Sequence, residues 1–294
     1  MSRDSYQDFA GVYDAWQMLY PRAFSLAIAP RVIAAMKEHA VPNTVLADLA
    51  CGTGIFPLWW QKTHPSWTVY GTDLSPAMIA AAKRAAKEAT ARPVRRTAKQ
   101  TAEHTARSKS EPSARQKSKS SAGVRARRTP TLFVQDMRRF ALPEPVGVVT
   151  CLFDSLNHLT READLAQTFR AVARSLAPRG LFLFDLVDEL AFPEVFTGTS
   201  ILDGKELYVG IDTHYHEERG HGIGEAKFTF FRRGEPAWKR VEFSIRERCW
   251  FRGEVREMLT SAGLDLVRLE RVDPYRSAEF FVPRTFWICR RGRG

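Results

Sequence analysis

Val45-Leu46-Ala47-Asp48-Leu49-Ala50-Cys51-Gly52-Thr53-Gly54 is the stretch on which the fold turns. An apolar run from Thr44 stops at an acidic residue, two glycines follow, and Ile55 to Lys62 continues at helical spacing. The pattern is that of a buried strand, a tight turn and a helix. Glycine lets backbone approach a ligand closely, and the first turn of the helix presents unpaired N–H groups to it. Trp67 to Thr72 predicts a second strand ending at Asp73, twenty-five residues after Asp48. A carboxylate there can accept both hydroxyls of a ribose. Thr131 to Gln135 predicts a third strand, closed by Asp136. Acids at three successive strand ends fall along one sheet edge, where open α/β folds bind ligands.

Outward from this motif, Ser75 caps a helix with Pro76 at its first position, running past Met78 and Ile79. Val146 to Phe153 reads as a fourth strand, Leu165 to Leu176 as a helix stopping before Pro178 and Gly180, and Leu181 to Val187 as a fifth strand. These strands are apolar at consecutive positions, as in a sheet covered on both faces. From Ile201 to Phe251 the rhythm alternates, with Val241, Phe243 and Ile245 set against Arg240, Glu242, Ser244 and Arg246, and turns at Arg219 to Gly224 and Arg232 to Pro236. A helix from Glu254 to Ala262, a strand from Leu266 to Val272 and a strand from Phe280 to Cys289 return to the sheet, and Tyr6 to Tyr20 predicts helix. The expected architecture is a doubly wound α/β fold, a mostly parallel seven-stranded sheet with an antiparallel β lid inserted after strand five. The expected organisation is an N-terminal helical cap (1–43), a ligand-binding core (44–190, with a basic insert at 87–130), the lid (191–251) and the last part of the core sheet (252–294).

The 294 residues carry 44 Lys plus Arg against 33 Asp plus Glu, a net charge of +11, and are 44% hydrophobic. That suits one large or two small domains and excludes a fibrous or wholly disordered chain. Residues 87–130 hold 13 Lys or Arg, three Glu and no aromatic residue, so the rest is nearly neutral and carries all 33 aromatics. Such a segment cannot bury a core and reads as a disordered insert. Counterion release would let it bind RNA, but without aromatics for stacking no sequence-specific recognition is expected. Cys51, Cys151, Cys249 and Cys289 lie far apart without a CxxC pair, which argues against a zinc ribbon or disulfide framework. With no long apolar run and no signal-peptide layout, the expected location is cytoplasmic and no membrane is involved. Asp212, His214, His216 and His221 have metal-compatible spacing, but an exposed hairpin face accounts for them and no metal is assigned.

Asp48 followed by Cys51-Gly52-Thr53-Gly54, with acids closing strands two and three, resembles the motifs of the class I S-adenosylmethionine-dependent methyltransferases. The likeness spans Tyr6 to the C-terminus, the basic insert aside. It implies a Rossmann-like fold, S-adenosylmethionine as cofactor and methyl transfer as the activity. It further implies that Ala50, Gly52 and Gly54 line the methionine part, Asp73 holds the ribose, Leu74 flanks the adenine, and Asp136 with Met137 meets the adenine amino edge. Asp48, Met78 and Tyr20 complete the implied cofactor set, and Phe153 falls near the sulfonium. Tyr13, counted as catalytic, and Tyr20 are expected to close over the methyl group. His158 follows strand four at the same edge and titrates near neutral pH, so it is the candidate base. Ser155, His158 and Leu159 also match a Ser-x-x-His-Leu segment of similar sugar N-methyltransferases.

The cofactor supplies the electrophile in such enzymes, so the protein aligns the acceptor and takes its proton. The expected acceptor is an N or O atom of a small molecule, an amino sugar among the candidates, enclosed by lid aromatics such as Tyr208, Tyr215, Phe228 and Phe230. A nicotinamide-dependent dehydrogenase is disfavoured by Pro57 at the third glycine position. A nucleic-acid methyltransferase using the basic insert is the alternative. Asp154-Ser155-Leu156-Asn157 departs from the Asn/Asp-Pro-Pro-aromatic run that base-modifying enzymes carry there. A non-catalytic S-adenosylmethionine-binding protein is the other alternative.

Overall fold

The computed structural model describes residues 5–91, 128–234, 236–273 and 282–292. Strand β1 (Val45–Leu49) is buried at all five positions and pairs in parallel with β2 (Thr68–Asp73) on one side and β4 (Val146–Cys151) on the other. β3 (Thr131–Val134) runs parallel beside β2, and β5 (Leu176–Val187) beside β4. β11 (Arg284–Arg291) is antiparallel to both β5 and β10 (Leu264–Val272). The resulting order is β10-β11-β5-β4-β1-β2-β3, a mostly parallel seven-stranded sheet.

The consecutive apolar runs follow from two cores, because successive side chains leave a strand on opposite faces. Ala47, Leu49, Val149 and Phe182 pack with α6 (Glu162–Ser175) and α8 (Arg252–Ser261) through Leu165, Phe169, Val255 and Leu259. Leu46, Val148 and Leu183 pack with α3 (Phe24–His39) and α4 (Ile55–Thr63) through Phe24, Ile28, Phe56 and Trp60. The sheet is therefore wound on both faces. The β1–β4 neighbourhood is where strand order reverses, and crevices open there at the carboxyl ends of the strands.

A second sheet, β6 (Gly198–Asp203), β7 (Leu207–Glu218), β8 (His221–Arg232) and β9 (Lys239–Arg248), is antiparallel throughout. Arg219 and Gly220, at φ 52° and 78°, form the two-residue turn between β7 and β8, of the kind that matches strand twist. The inner face of this sheet packs on α1 (Ser5–Ala10) and α2 (Tyr13–Gln17). Phe9 stacks on Phe243 with ring centroids 3.9 Å apart, and Trp16 meets Phe228 at 5.4 Å.

Several boundaries differ from the sequence reading. The expected Tyr6–Tyr20 helix is two short helices, broken where Gly11 and Val12 bond back to Asp8 and Phe9 in tight turns. β5 begins at Leu176 rather than Leu181, with an irregular register against β4 around Pro178, and Arg179 at φ 65°. α5 (Pro76–Ala91) carries helix past Lys87, since its Ala-rich sequence is a strong helix former, so the basic insert does not begin there. Residues 92–127 lie outside the described residues, as do 280 and 281 of the expected last strand. Among the described residues the four cysteines are free and buried, and no helix is long and apolar enough to cross a membrane.

Candidate active site

The turn after β1 is built on left-handed backbone, with Ala50, Gly52 and Gly54 at φ 51°, 55° and 83°. A side chain on Gly54 would place Cβ 3.0 Å from Cβ of Ala82, so glycine there sets how closely α4 and α5 approach. The Cys51 N–H donates to Thr72 O at 2.9 Å, tying the turn to the end of β2. Asp73, just beyond, accepts N–H bonds from Gly52 (2.9 Å) and Ser75 (2.8 Å), one on each carboxylate oxygen. Burial raises its pKa and these two donors pull it back. Thr53 Oγ1 donates to Asp14 of α2, which brings the N-terminal helices over the turn.

The carboxyl ends of the strands and the lid enclose a cavity of about 1200 Å³. Of the residues singled out in the sequence, Tyr13, Tyr20, Ala50, Gly52, Asp73, Leu74, Met78, Asp136, Met137, Phe153 and His158 line it. Asp48 and Gly54 do not. Asp48 is buried beside β4, accepts a hydrogen bond from Thr150 Oγ1 at 2.6 Å and lines a small adjoining pocket of about 30 Å³. Burial pushes its pKa up to about 7. Burial, then the nearby Asp73 and Asp154, hold the Tyr13 hydroxyl protonated far above neutrality, and burial pushes Tyr20 up to about 12.

Asp136 is committed locally. Its carboxylate takes a bidentate grip from Arg138 (2.6 to 3.0 Å) and also accepts the Arg138 backbone N–H at 2.9 Å. The hydrogen bond from Arg138 lowers its pKa. The loop after β4 is held from below in a similar way. Phe153 and Asp154, at φ 67° and 49°, donate their N–H groups to Asp185 of β5 at 2.7 and 3.0 Å. Arg284 bridges Asp154 at 2.6 Å and Asp185 at 3.0 Å, and lies over the rings of Phe24 and Phe153. Burial opposes its charge, but the two carboxylates more than offset that and it stays protonated. Burial pushes Asp185 up to about 6, with Arg284 acting against it.

His158 is one-third exposed at the cavity wall, its Nε2 lying 3.8 Å from Oε1 of Glu247. Burial lowers the imidazole pKa, and Asp154 acts against that. Ser155 of the Ser-x-x-His-Leu segment donates to Leu152 O at 2.9 Å. Asp154, His158 and Glu247 bring ligand atoms within 4.8 Å of one another, but Arg284 occupies Asp154, which speaks against a cation there. The lid histidines do not converge on a common centre. His214 and His216 stack at 5.7 Å, whereas His221 bonds Arg248 at 3.1 Å.

Sequence reasoning did not find Arg138, Asp185, Glu247 or Arg284. Two had a signal. Asp185 is a carboxylate inside the apolar run Leu181 to Val187, and Glu247 continues the inward series Val241, Phe243, Ile245.

The cavity fits an adenosine-bearing cofactor on its own features. Leu74 and Val134 line it while 67% and 49% exposed, two aliphatic faces that a flat base would cover. Asp73 beside them keeps lone pairs for hydroxyl donors.

Residues 47–182 match a family model described as a methyltransferase domain. YqeM of Bacillus subtilis (strain 168), a protein named as a methyltransferase, is 27% identical over 270 residues, 90% of this chain and 88% of that one. A Streptomyces fradiae enzyme, dTDP-3-amino-3,6-dideoxy-alpha-D-glucopyranose N,N-dimethyltransferase, is 26% identical over 169 residues, 58% of this chain and 48% of its own. Among solved structures, an S-adenosylmethionine-dependent methyltransferase from Clostridium acetobutylicum ATCC 824 superposes with a TM-score of 0.70 at 20% identity, covering 98% of this chain and 99% of that one.

Proposed function

We propose that this class I S-adenosylmethionine-dependent methyltransferase transfers its methyl group to an N or O atom of a small-molecule acceptor held beneath the lid. The observation that carries the reading is convergence on one cavity: the turn after β1, the Asp73 carboxylate, the loop after β4 and the inner face of the lid all border it. In this reading Ala50, Gly52 and Met78 hold the methionine part, Asp73 the ribose, and Leu74 and Met137 the adenine. When bound, the cofactor would supply an electrophilic methyl group. The protein's own work is alignment and proton transfer. Phe153 and the protonated Tyr13 wall the reacting end. His158, whose pKa burial lowers, meets a proton leaving the acceptor. The lid and the N-terminal helices exclude water.

The Streptomyces fradiae relative methylates an amino sugar by its name, and a small nitrogen acceptor is the first class to screen. The test starts with calorimetric titration of S-adenosylmethionine, with NADH in parallel. Asp73→Ala is expected to weaken S-adenosylmethionine binding about tenfold to a hundredfold, the loss of a charge-assisted contact. Asp73→Asn, which can still accept the Gly52 or Ser75 N–H, should lose less. Equal affinity in wild type and Asp73→Ala would refute the ribose assignment, and NADH binding in place of the sulfonium nucleoside would refute the reaction class.

A further inference from the structure

Glu247, near the end of β9, is 2% exposed and lines the cavity. Its Oε1 faces Nε2 of His158 at 3.8 Å, and its Oε2 is buried without a hydrogen-bond partner. A carboxylate so placed has given up water without gaining a full counter-charge, which is costly unless something else supplies the charge. The groups around it are Asp154 and His158 from the loop after β4, Asp185 from β5 and Arg284 from β11. Arg284 is already shared by Asp154 and Asp185. The arginines flanking Glu247 turn elsewhere, Arg246 to Glu218 and Glu225, and Arg248 to Glu254 and His221. Three carboxylates therefore face one guanidinium and one imidazole, and the acceptor end of the cavity holds fewer positive charges than carboxylates.

Resting on the methyltransferase reading above, we propose that Glu247, paired with His158, ionises against the positive charge of the bound methyl donor and takes up the proton the acceptor releases when that charge is lost. The charges balance. Before transfer the sulfonium is positive, Glu247 is a carboxylate and the acceptor is neutral. The acceptor's N or O electron pair forms the bond to the methyl carbon, its N–H or O–H bond breaks with the electrons staying on that atom, and the proton ends on the pair. The sulfur is left as a neutral thioether and Glu247 as a neutral acid. In the empty cavity burial raises the Glu247 pKa well above its usual value and lowers that of His158, and both directions favour the uncharged pair.

The test needs no acceptor. Wild type, Glu247→Gln and Glu247→Asp are titrated with S-adenosylmethionine and with S-adenosylhomocysteine, in buffers of different ionisation enthalpy around neutral pH. The two ligands differ in the sulfonium charge, so subtracting one from the other removes proton release from groups that respond to the shared parts, Asp48 among them. Wild type is expected to expel close to one more proton for S-adenosylmethionine, whose affinity then rises about tenfold per pH unit relative to the thioether. Glu247→Gln is expected to abolish that difference while still binding both ligands, and Glu247→Asp to restore it in part. Equal proton release for the two ligands in wild type, or the same extra release in Glu247→Gln, overturns the proposal. Binding of neither ligand by folded wild type overturns the cofactor reading itself, and the pair with it.

Discussion

Asp48 shows how a single buried acid can make the empty protein sensitive to pH. With burial pushing its pKa up to about 7, the folded state holds a proton there that the unfolded chain has already released. Stability from this group is therefore full below the ordinary carboxylate range and falls as pH rises toward about 7. Asp48→Asn, which keeps an acceptor for Thr150, is expected to flatten the pH dependence of unfolding between about pH 4 and 7 and to be the more stable form at about pH 8. Parallel stability curves from urea unfolding at several pH values would contradict this. Residue-scale chemistry was legible in the sequence where the local chain dictates it. Gly52 and Asp73, which line the cavity, belong to one turn and the strand beside it, whereas Gly54 packs against Ala82 instead. Arg284 was not legible, and Asp185 and Glu247 showed only that they are inward-facing acids, because the partners of all three are brought together by β4, β5, β9 and β11.

At the scale of elements, two glycines with similar backbone differ in surroundings. Gly54 at φ 83° is backed by Ala82, whereas nothing lies within 4 Å of a side chain placed on Gly220 at φ 78°. Gly220→Ala is expected to cost about 1 kcal/mol, the left-handed strain alone, and Gly54→Ala about 2 to 3 kcal/mol, because α4 and α5 must also separate. Denaturant midpoints of the two variants check the ordering, and equal losses would mean that the α4–α5 approach is not constrained there. Strands β1, β2, β4 and the inner part of β5 were readable because burial on both faces makes their sequences mostly apolar, with Asp48, Asp73, Thr150 and Asp185 among the polar exceptions, each of which hydrogen-bonds at the site. The early start of β5 was not, since it rests on Leu176 pairing with Val146 across the sheet, whereas the split between α1 and α2 falls at Gly11, in local turns that the helical reading passed over.

For the whole molecule, the cavity is assembled from four stretches far apart in sequence, the N-terminal helices, the core up to α6, the segment of the second sheet, and the start of β11. The cavity residues named above all lie outside positions 92–127, which carry much of the net positive charge. Replacing that segment by a short Gly-Ser linker is expected to leave calorimetric affinity for S-adenosylmethionine within about twofold. The same change should remove any salt-sensitive retention on RNA, since that depends on Lys and Arg displacing counterions. A replaced protein that binds the cofactor but transfers methyl groups to RNA as well as the full chain does would separate the basic charge from nucleic-acid methylation. The fold class was legible at this scale because alternating βα units leave few other solutions, whereas the composition of the cavity required the packed lid.

Arg284 gives the fold a direction in time. A chain made from its N-terminus presents Asp154 and Asp185 many residues before the guanidinium that joins them, and domains begin to collapse as they emerge. Until that late arginine arrives, the loop carrying His158 has two buried carboxylates beneath it and no cation between them, an arrangement that typically costs about 3 to 5 kcal/mol. Strands β1 to β5 can thus pair before β11 docks, and the loop carrying His158 is set only when Arg284 reaches the two carboxylates.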